Sequence, residues 1–306
     1  MTAVAGSPAV PGGVDQVGGV DATEVRLRLS HERTKAVARA AGRSLVHTLI
    51  ALAIVLVAWQ LVVSYGGISS YVGKGPADVW NFLFVTEEGA RTTAADHRAE
   101  LFPLVWTTLA DAALGFVVGI VIAAGLSMAF TLSKSVESGL MPLALLLRSV
   151  PLVAIAPVIM LITGRGTSMS VAVIGTIVVL FPALASMMFG LSRASRESLD
   201  LVHVYGGGNL TALRKVAIPG ALPSFFAAAR VSVPGAVTGA LLAEWLSTGK
   251  GVGGVIQKYN AGAQFEKLWA AVMLITITTL VLYNLVQAVE TSVLARMGMG
   301  DDESTI

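Results

Sequence analysis

The chain has 306 residues, 55% of them hydrophobic and only 13% charged, with a mean hydropathy of +0.76. A soluble domain carries about 25% charged residues, so this deficit places most of the chain in a bilayer. A net charge of +2 without any basic, aromatic-interleaved block excludes a nucleic-acid binder, and the lack of cysteine excludes disulfides, thiolate metal sites and a cysteine nucleophile.

From Met1 to Asp21 the sequence is rich in Ala, Gly, Val and Pro and reads as disordered. Thr23 to Arg43 is basic, with Arg26, Arg28, Arg33, Lys35, Arg39 and Arg43. It is either an amphipathic helix on the membrane surface or a solvated tail whose charge anchors the first span. The first apolar run follows only after about forty polar or small residues, which is not how a cleavable signal peptide opens.

Six apolar segments are long enough to cross a membrane, which takes about 20 helical residues: Leu45–Val63, Trp106–Leu132, Leu140–Ile162, Met169–Leu191, Pro223–Leu246 and Leu268–Val289. All are read as helices, since a helix satisfies its own backbone in lipid, and the runs are too long and unalternating for barrel strands. The expected class is therefore all-α: a polytopic membrane protein of about six transmembrane helices. With the N-terminus inside, the inner side receives the basic tail, Lys134, Arg193, Arg196, Arg214, Lys215 and Arg296. The outer side receives seven Lys/Arg diluted by six Asp/Glu, so the balance predicts that both termini are cytoplasmic. Between the first two spans a short helix is expected around Ala77–Phe84. Between the last two, Lys250–Lys267 reads as a glycine-rich external loop. Three domains follow: a cytoplasmic tail (1–43), a transmembrane domain (44–295) containing a cytoplasmic loop (197–223), and a C-terminal tail (296–306).

The loop after the fourth span is longer than a plain connection needs. Glu197–Tyr205 has no breaker, and Leu199 and Val202 share a helical face. Gly206-Gly207-Gly208 ends that helix; Asn209 is a good N-cap for a second, Leu210–Val216, which presents Leu210 and Leu213 on one edge and stops at Pro219, before Pro223 begins the return to the membrane. Such a hairpin either docks a soluble partner or lies flat on the inner leaflet.

Within the spans, Glu244 is an intramembrane carboxylate, either functional or held by the following Gly-rich loop. Arg148 and Arg230, near the inner ends of the third and fifth spans, face an anionic solute, snorkel to headgroups or pair with the cytoplasmic loop. Pro151, Pro157 and Pro182 either free carbonyls toward a cavity or simply kink their helices, with Met160 and Thr163 beside Pro157. Gly115, Gly119 and Gly125 let backbones approach. Nucleotide chemistry is excluded: Gly249-Lys250 lacks the surrounding P-loop residues, and the triple glycine follows a helix rather than a strand. The scattered histidines have no metal-ligand spacing.

Asp200, then Gly206, then Val216-Ala-Ile218-Pro219 resembles the EAA loop of membrane subunits of bacterial ATP-binding-cassette importers, with Asp200 in the place of the usual Glu and Leu201-Val202 in the place of two alanines. Arg148-Ser-Val-Pro151…Pro157, Ile218-Pro-Gly-Ala-Leu-Pro-Ser224, Ala243-Glu244, Gly251-Val-Gly-Gly254 and Trp106…Gly115-Phe116 resemble the nitrate, sulfonate and taurine branch of these permeases, over about Gly75 to Leu294. The resemblance implies a type I importer permease fold in a bacterial cell membrane, without enzymatic activity or cofactor of its own. It also implies a second permease copy or paralogue, two cytoplasmic ATPases and an extracytoplasmic solute-binding protein as partners. Coupling to the ATPases would fall on Asp200, Val202, Tyr205, Gly206, Gly207, Leu210, Leu213, Val216, Ile218 and Pro219. The translocation pathway would fall on Arg148, Pro151, Pro157, Met160, Thr163 and Glu244, and the solute would be a small anion or a small heterocycle. The rival reading is an ion-coupled secondary transporter, which calls for paired midplane charges and two halves with broken helices.

Overall fold

The computed structural model of the chain describes Val46 and residues 49–86, 89 and 92–299. The chain divides into two units, Met1–Ile50 and Ala51–Ile306. Of the first, only Val46, Leu49 and Ile50 are described, all helical. The tail read as disordered and then basic (1–43), and residues 300–306, lie outside the described residues.

Among the described residues every regular element is a helix. In chain order these are α1 (Leu49–Tyr65), α2 (Pro76–Phe84), α3 (Ala94–Leu132), α4 (Lys134–Ser149), α5 (Leu152–Thr163), α6 (Ser168–Ser192), α7 (Arg196–Val204), α8 (Asn209–Ala212), α9 (Ile218–Ala243), α10 (Gly251–Ala261) and α11 (Phe265–Arg296). Four stretches are long and apolar enough to cross a membrane: α3, α6, Asn209–Leu246 and α11. They contain the second, fourth, fifth and sixth expected spans.

The other two expected spans differ. The first is the shorter α1. The third is not one helix but two, α4 and α5, because Val150 is extended ahead of Pro151; a proline ring disfavours the helical region for the residue before it. Pro182 does not interrupt α6, which runs unbroken through it, and Pro157 likewise lies inside α5. A membrane helix tolerates the lost hydrogen bond where local adjustment or its neighbours hold the backbone.

Helices α3, α6 and α9 form the packed centre. In lipid there is little hydrophobic drive between helices, so close approach of small residues must hold them. Gly115 of α3 and Gly239 of α9 both meet Gly175 of α6: a Cβ on Gly115 would lie 2.8 Å from the Gly175 Cα, and one on Gly239 3.0 Å from it. Gly119 meets Val179 one turn on, so α3 and α6 run parallel, while Gly190 faces Ala221 and Ser224, so α9 runs back antiparallel. Gly125, expected to do the same work, faces open space. The N-terminal ends of α3 and α6 therefore lie at one end of the bundle with α10, and α7–α8 lies at the other.

The first end is tied by polar and aromatic contacts. Glu100 accepts hydrogen bonds from Lys267 (2.6 Å) and from the Tyr259 hydroxyl (2.8 Å). Lys74 pairs with Glu266 at 3.0 Å, Trp269 Nε1 donates to the Val72 carbonyl, and Trp269 stacks on Trp59. Deeper in the chain, Arg230 of α9 pairs with Glu290 of α11 at 3.2 Å, which gives that arginine a protein partner instead of a headgroup.

Candidate functional site

Helix α7 starts on Ser195, whose hydroxyl accepts from the Ser198 amide at 3.2 Å, a side-chain cap for one of the unpaired first-turn donors. Its other end is closed by two reversed hydrogen bonds, Gly206 N–H to the His203 carbonyl and Gly207 N–H to the Val202 carbonyl, both 2.9 Å. This is a Schellman closure, and it needs a left-handed residue at its centre; Gly206 supplies it with φ +80°. The His203 ring lies 3.1 Å from Asn209 Oδ1, tying the end of α7 to the start of α8. The elbow is thus fixed by backbone and side chain together.

Two expectations about this segment are corrected. Gly208, not Asn209, is the N-cap of α8, because the Asn209 side chain is turned to His203 instead. Pro219 does not stop the second helix. The chain stays helical from Asn209 through α9, passing through a widened π turn at Leu213–Ala217 in which the Ile218 amide bonds to the Leu213 carbonyl. A proline ring clashes with the carbonyl four residues back, and widening the turn just before Pro219 makes room for it.

The outward side chains also differ from those expected. Leu199 and Val202 are only partly exposed, whereas Leu201, Val204 and Tyr205 stand out from α7, Tyr205 at 84% exposure. Leu210 continues this edge beyond the elbow. Leu213 does not: at 3% exposure it packs with Leu191, Ala217 and Ala221, and partly buried Ile218 joins them. Asp200 is exposed, and Val216 and Pro219 are partly covered. The sequence pattern marked the hairpin and the outward Leu210, but took the wrong face of α7 and placed Leu213 outward. The i, i+3, i+4 spacing of Leu201, Val204 and Tyr205 was the available signal.

Glu244 sits in a π turn, Glu244–Thr248, at the other end of the bundle and is fully buried. Its Oε2 accepts from the Thr108 hydroxyl at 2.9 Å and from the Gly253 amide at 2.8 Å, and the Thr108 oxygen in turn accepts from the Val252 amide at 2.8 Å. The carboxylate therefore satisfies one first-turn amide of α10 directly, with Thr108 taking the next, where the helix dipole is positive, and together they bind that helix to α3. Gly251 is required by contact: a Cβ there would fall 2.1 Å from Glu244 Oε1. Residues 251–261, expected to be loop, are helical because this carboxylate caps them. Of the two readings of Glu244, the geometry displays the structural one. Thr108 was not singled out, since its partners lie 136 and 144 residues away in the chain.

The remaining pathway candidates are not gathered at one point in the single chain. Arg148 lies in α4, but its side chain falls outside the described residues. Pro151 and Pro157 are exposed along α5. Met160 is buried with Ala156, Val171, Ile174 and Ala243. Thr163 donates to the Ile159 carbonyl and meets the Ser170 hydroxyl at 2.8 Å, closing the α5–α6 turn. Among the described residues no group of three or more acidic or His side chains is placed to hold a metal.

Residues 115–297 match the family described as binding-protein-dependent transport system inner membrane component. Curated relatives include a probable ABC transporter permease protein of Haemophilus influenzae, 27% identical over 78% of this chain and 93% of the relative. The riboflavin transport system permease protein RibX of Chloroflexus aurantiacus is 26% identical over 79% of this chain and 86% of its own length. A putative aliphatic sulfonates transport permease protein, SsuC of Bacillus subtilis, is 25% identical over 75% and 79%.

Proposed function

This chain belongs to the family of inner membrane components of binding-protein-dependent transport systems, a permease of the ATP-binding-cassette importers, and on that premise we propose that it couples a cytoplasmic ATPase to solute import through the α7–α8 elbow. The observation that carries this reading is the elbow itself: a capped, hydrogen-bonded corner that presents Leu201, Val204, Tyr205 and Leu210 to solvent. A stiff corner passes on a displacement that a loose linker would absorb. Its second arm continues without a break into α9, so a push on the elbow reaches the α3–α6–α9 centre directly.

In this reading ATP is hydrolysed on a separate subunit, the elbow and both termini are cytoplasmic, and α10 faces outward toward a solute-binding protein. Two permease chains, identical or paralogous, enclose the pathway, and the exposed side of α5 with Pro151 and Pro157 lines it. Arg148 stands at the inner end of that line. The solute is a small anion or a small heterocycle, in keeping with the sulfonate and riboflavin systems named among the relatives.

The test is co-purification with the cognate ATP-binding-cassette ATPase. Val204→Asp with Tyr205→Ala should reduce captured ATPase by about tenfold, the size expected when buried interface anchors are lost, while membrane insertion is unchanged. Leu213→Ala should act through stability of the permease instead. Undiminished capture by the double variant would overturn the assignment of the elbow.

A further inference from the structure

Helix α3 is 39 residues long, roughly 58 Å at the α-helical rise, against a hydrocarbon core of about 30 Å. Part of it must project beyond the membrane, and the side chains around its N-terminal third indicate where the boundary falls. One exposed stripe runs down α3 at helical spacing: Phe102, Trp106, Ala110, Leu114, Val117 and Val121. Its lower members are purely aliphatic, the composition of a surface suited to the acyl chains. Its upper members are aromatic, with Trp106 at 73% exposure.

Helix α2 extends that aromatic band sideways. Val79 and Leu83 are buried against the bundle, while Asp78 and Asn81 point away from it. Trp80 and Phe84 lie between these faces, both exposed, with ring centroids 4.5 Å apart. Arg98, one turn above Phe102, joins the two helices: its guanidinium lies 5.6 Å over the Phe84 ring and donates to the Leu83 carbonyl. The ion pairs of Glu100, Lys267, Lys74 and Glu266 involve the same end.

We propose that α2 is an interfacial anchor: Trp80, Phe84, Phe102 and Trp106 sit in the headgroup–acyl boundary of the leaflet at this end, with Arg98 beside the lipid phosphates. The occupant of this surface is lipid. Tryptophan rings favour that layer because one edge is apolar and the other can donate a hydrogen bond to water or an ester. A cation among them is complementary to phosphate. The band fixes the depth of the whole bundle, leaving the first two turns of α3 outside the hydrocarbon and about twenty residues from Trp106 onward within it. It holds regardless of which solute is carried or which protein grips the elbow.

The chain has five tryptophans and no cysteine, which suits a depth measurement. Variants keeping only Trp80 or only Trp106, the others changed to Phe, are reconstituted into phosphatidylcholine vesicles brominated either near the carbonyl or near the methyl end of the acyl chain. Quenching should be about twofold greater with the shallow bromines for both residues. A control carrying Val121→Trp as its sole tryptophan should show the reverse. Quenching of Trp80 and Trp106 by aqueous iodide without any by bromolipid would place the band in water. Quenching by neither would place it under another protein chain. Either result overturns the proposal. Should the tryptophan-depleted chains fail to insert, spin-labelled Trp80→Cys and Trp106→Cys in the native background give the same reading. Their oxygen-to-nickel accessibility ratio must fall between those of labels at Ser69→Cys and Val121→Cys, and a ratio at either extreme refutes the assignment.

Discussion

Gly115, Gly175 and Gly239 bring the backbones of α3, α6 and α9 together, and their value lies in what they lack. Gly115→Val would push methyl groups into the Gly175 backbone, and we expect a loss of about 1–3 kcal/mol from overpacking, seen as a lower unfolding temperature in detergent; Gly125→Ala, facing open space, should leave it within about 0.5 kcal/mol. Thr108 is a second such residue. Thr108→Val keeps the shape but removes the hydroxyl between Glu244 and the Val252 amide, leaving both buried groups short of a partner at a cost of about 1–3 kcal/mol. Proteolysis around residues 249–261 should report that loss as a loosened α10.

At the scale of elements, the elbow between α7 and α8 depends on one backbone conformation. Gly206→Ala forces a side chain into the left-handed region, costing about 1–2 kcal/mol, and should weaken ATPase capture without touching any exposed apolar side chain. The contact of α10 with α3 responds to pH. Burial, and then the hydrogen bond to the Glu100 carboxylate, raise the Tyr259 phenol above its ordinary value. A raised acid favours its neutral form in the folded state, so its contribution is complete below the ordinary tyrosine pKa of about 10 and is lost as pH climbs beyond it. Wild type should therefore lose thermal stability more steeply than Tyr259→Phe in that alkaline window; parallel curves would refute the coupling.

For the whole molecule, the decisive quantity is sidedness. The parallel run of α3 and α6 places α7–α8 at the end opposite α10, so one residue from each end reports the orientation. In intact cells an impermeant thiol reagent should modify Ser69→Cys and spare Ser198→Cys until the membrane is permeabilised. The opposite pattern would refute a cytoplasmic elbow. Because α8, the π turn and α9 form one uninterrupted helical path, displacement at the elbow is expected to move the α9 contact with Gly175 rather than dissipate in a loop.

Much of this was legible in the residues in order. Apolar runs of membrane-crossing length located α3, α6, α9 and α11, since hydropathy and helical rise are local properties. The spacing of Asp200, Gly206 and Pro219 located the hairpin, because a glycine break has a local cause. What the order of residues did not decide was which way side chains turn once helices pack. Leu213 went inward and Val204 outward because neighbours from α6 and α9 occupy one side. Pro182 stayed within α6 because α3 and α9 pack against that helix, and Pro219 because the π turn ahead of it makes room for its ring. Glu244 became the cap of α10 only when Thr108, far away in the chain, was brought beside it; that pairing is a product of the fold.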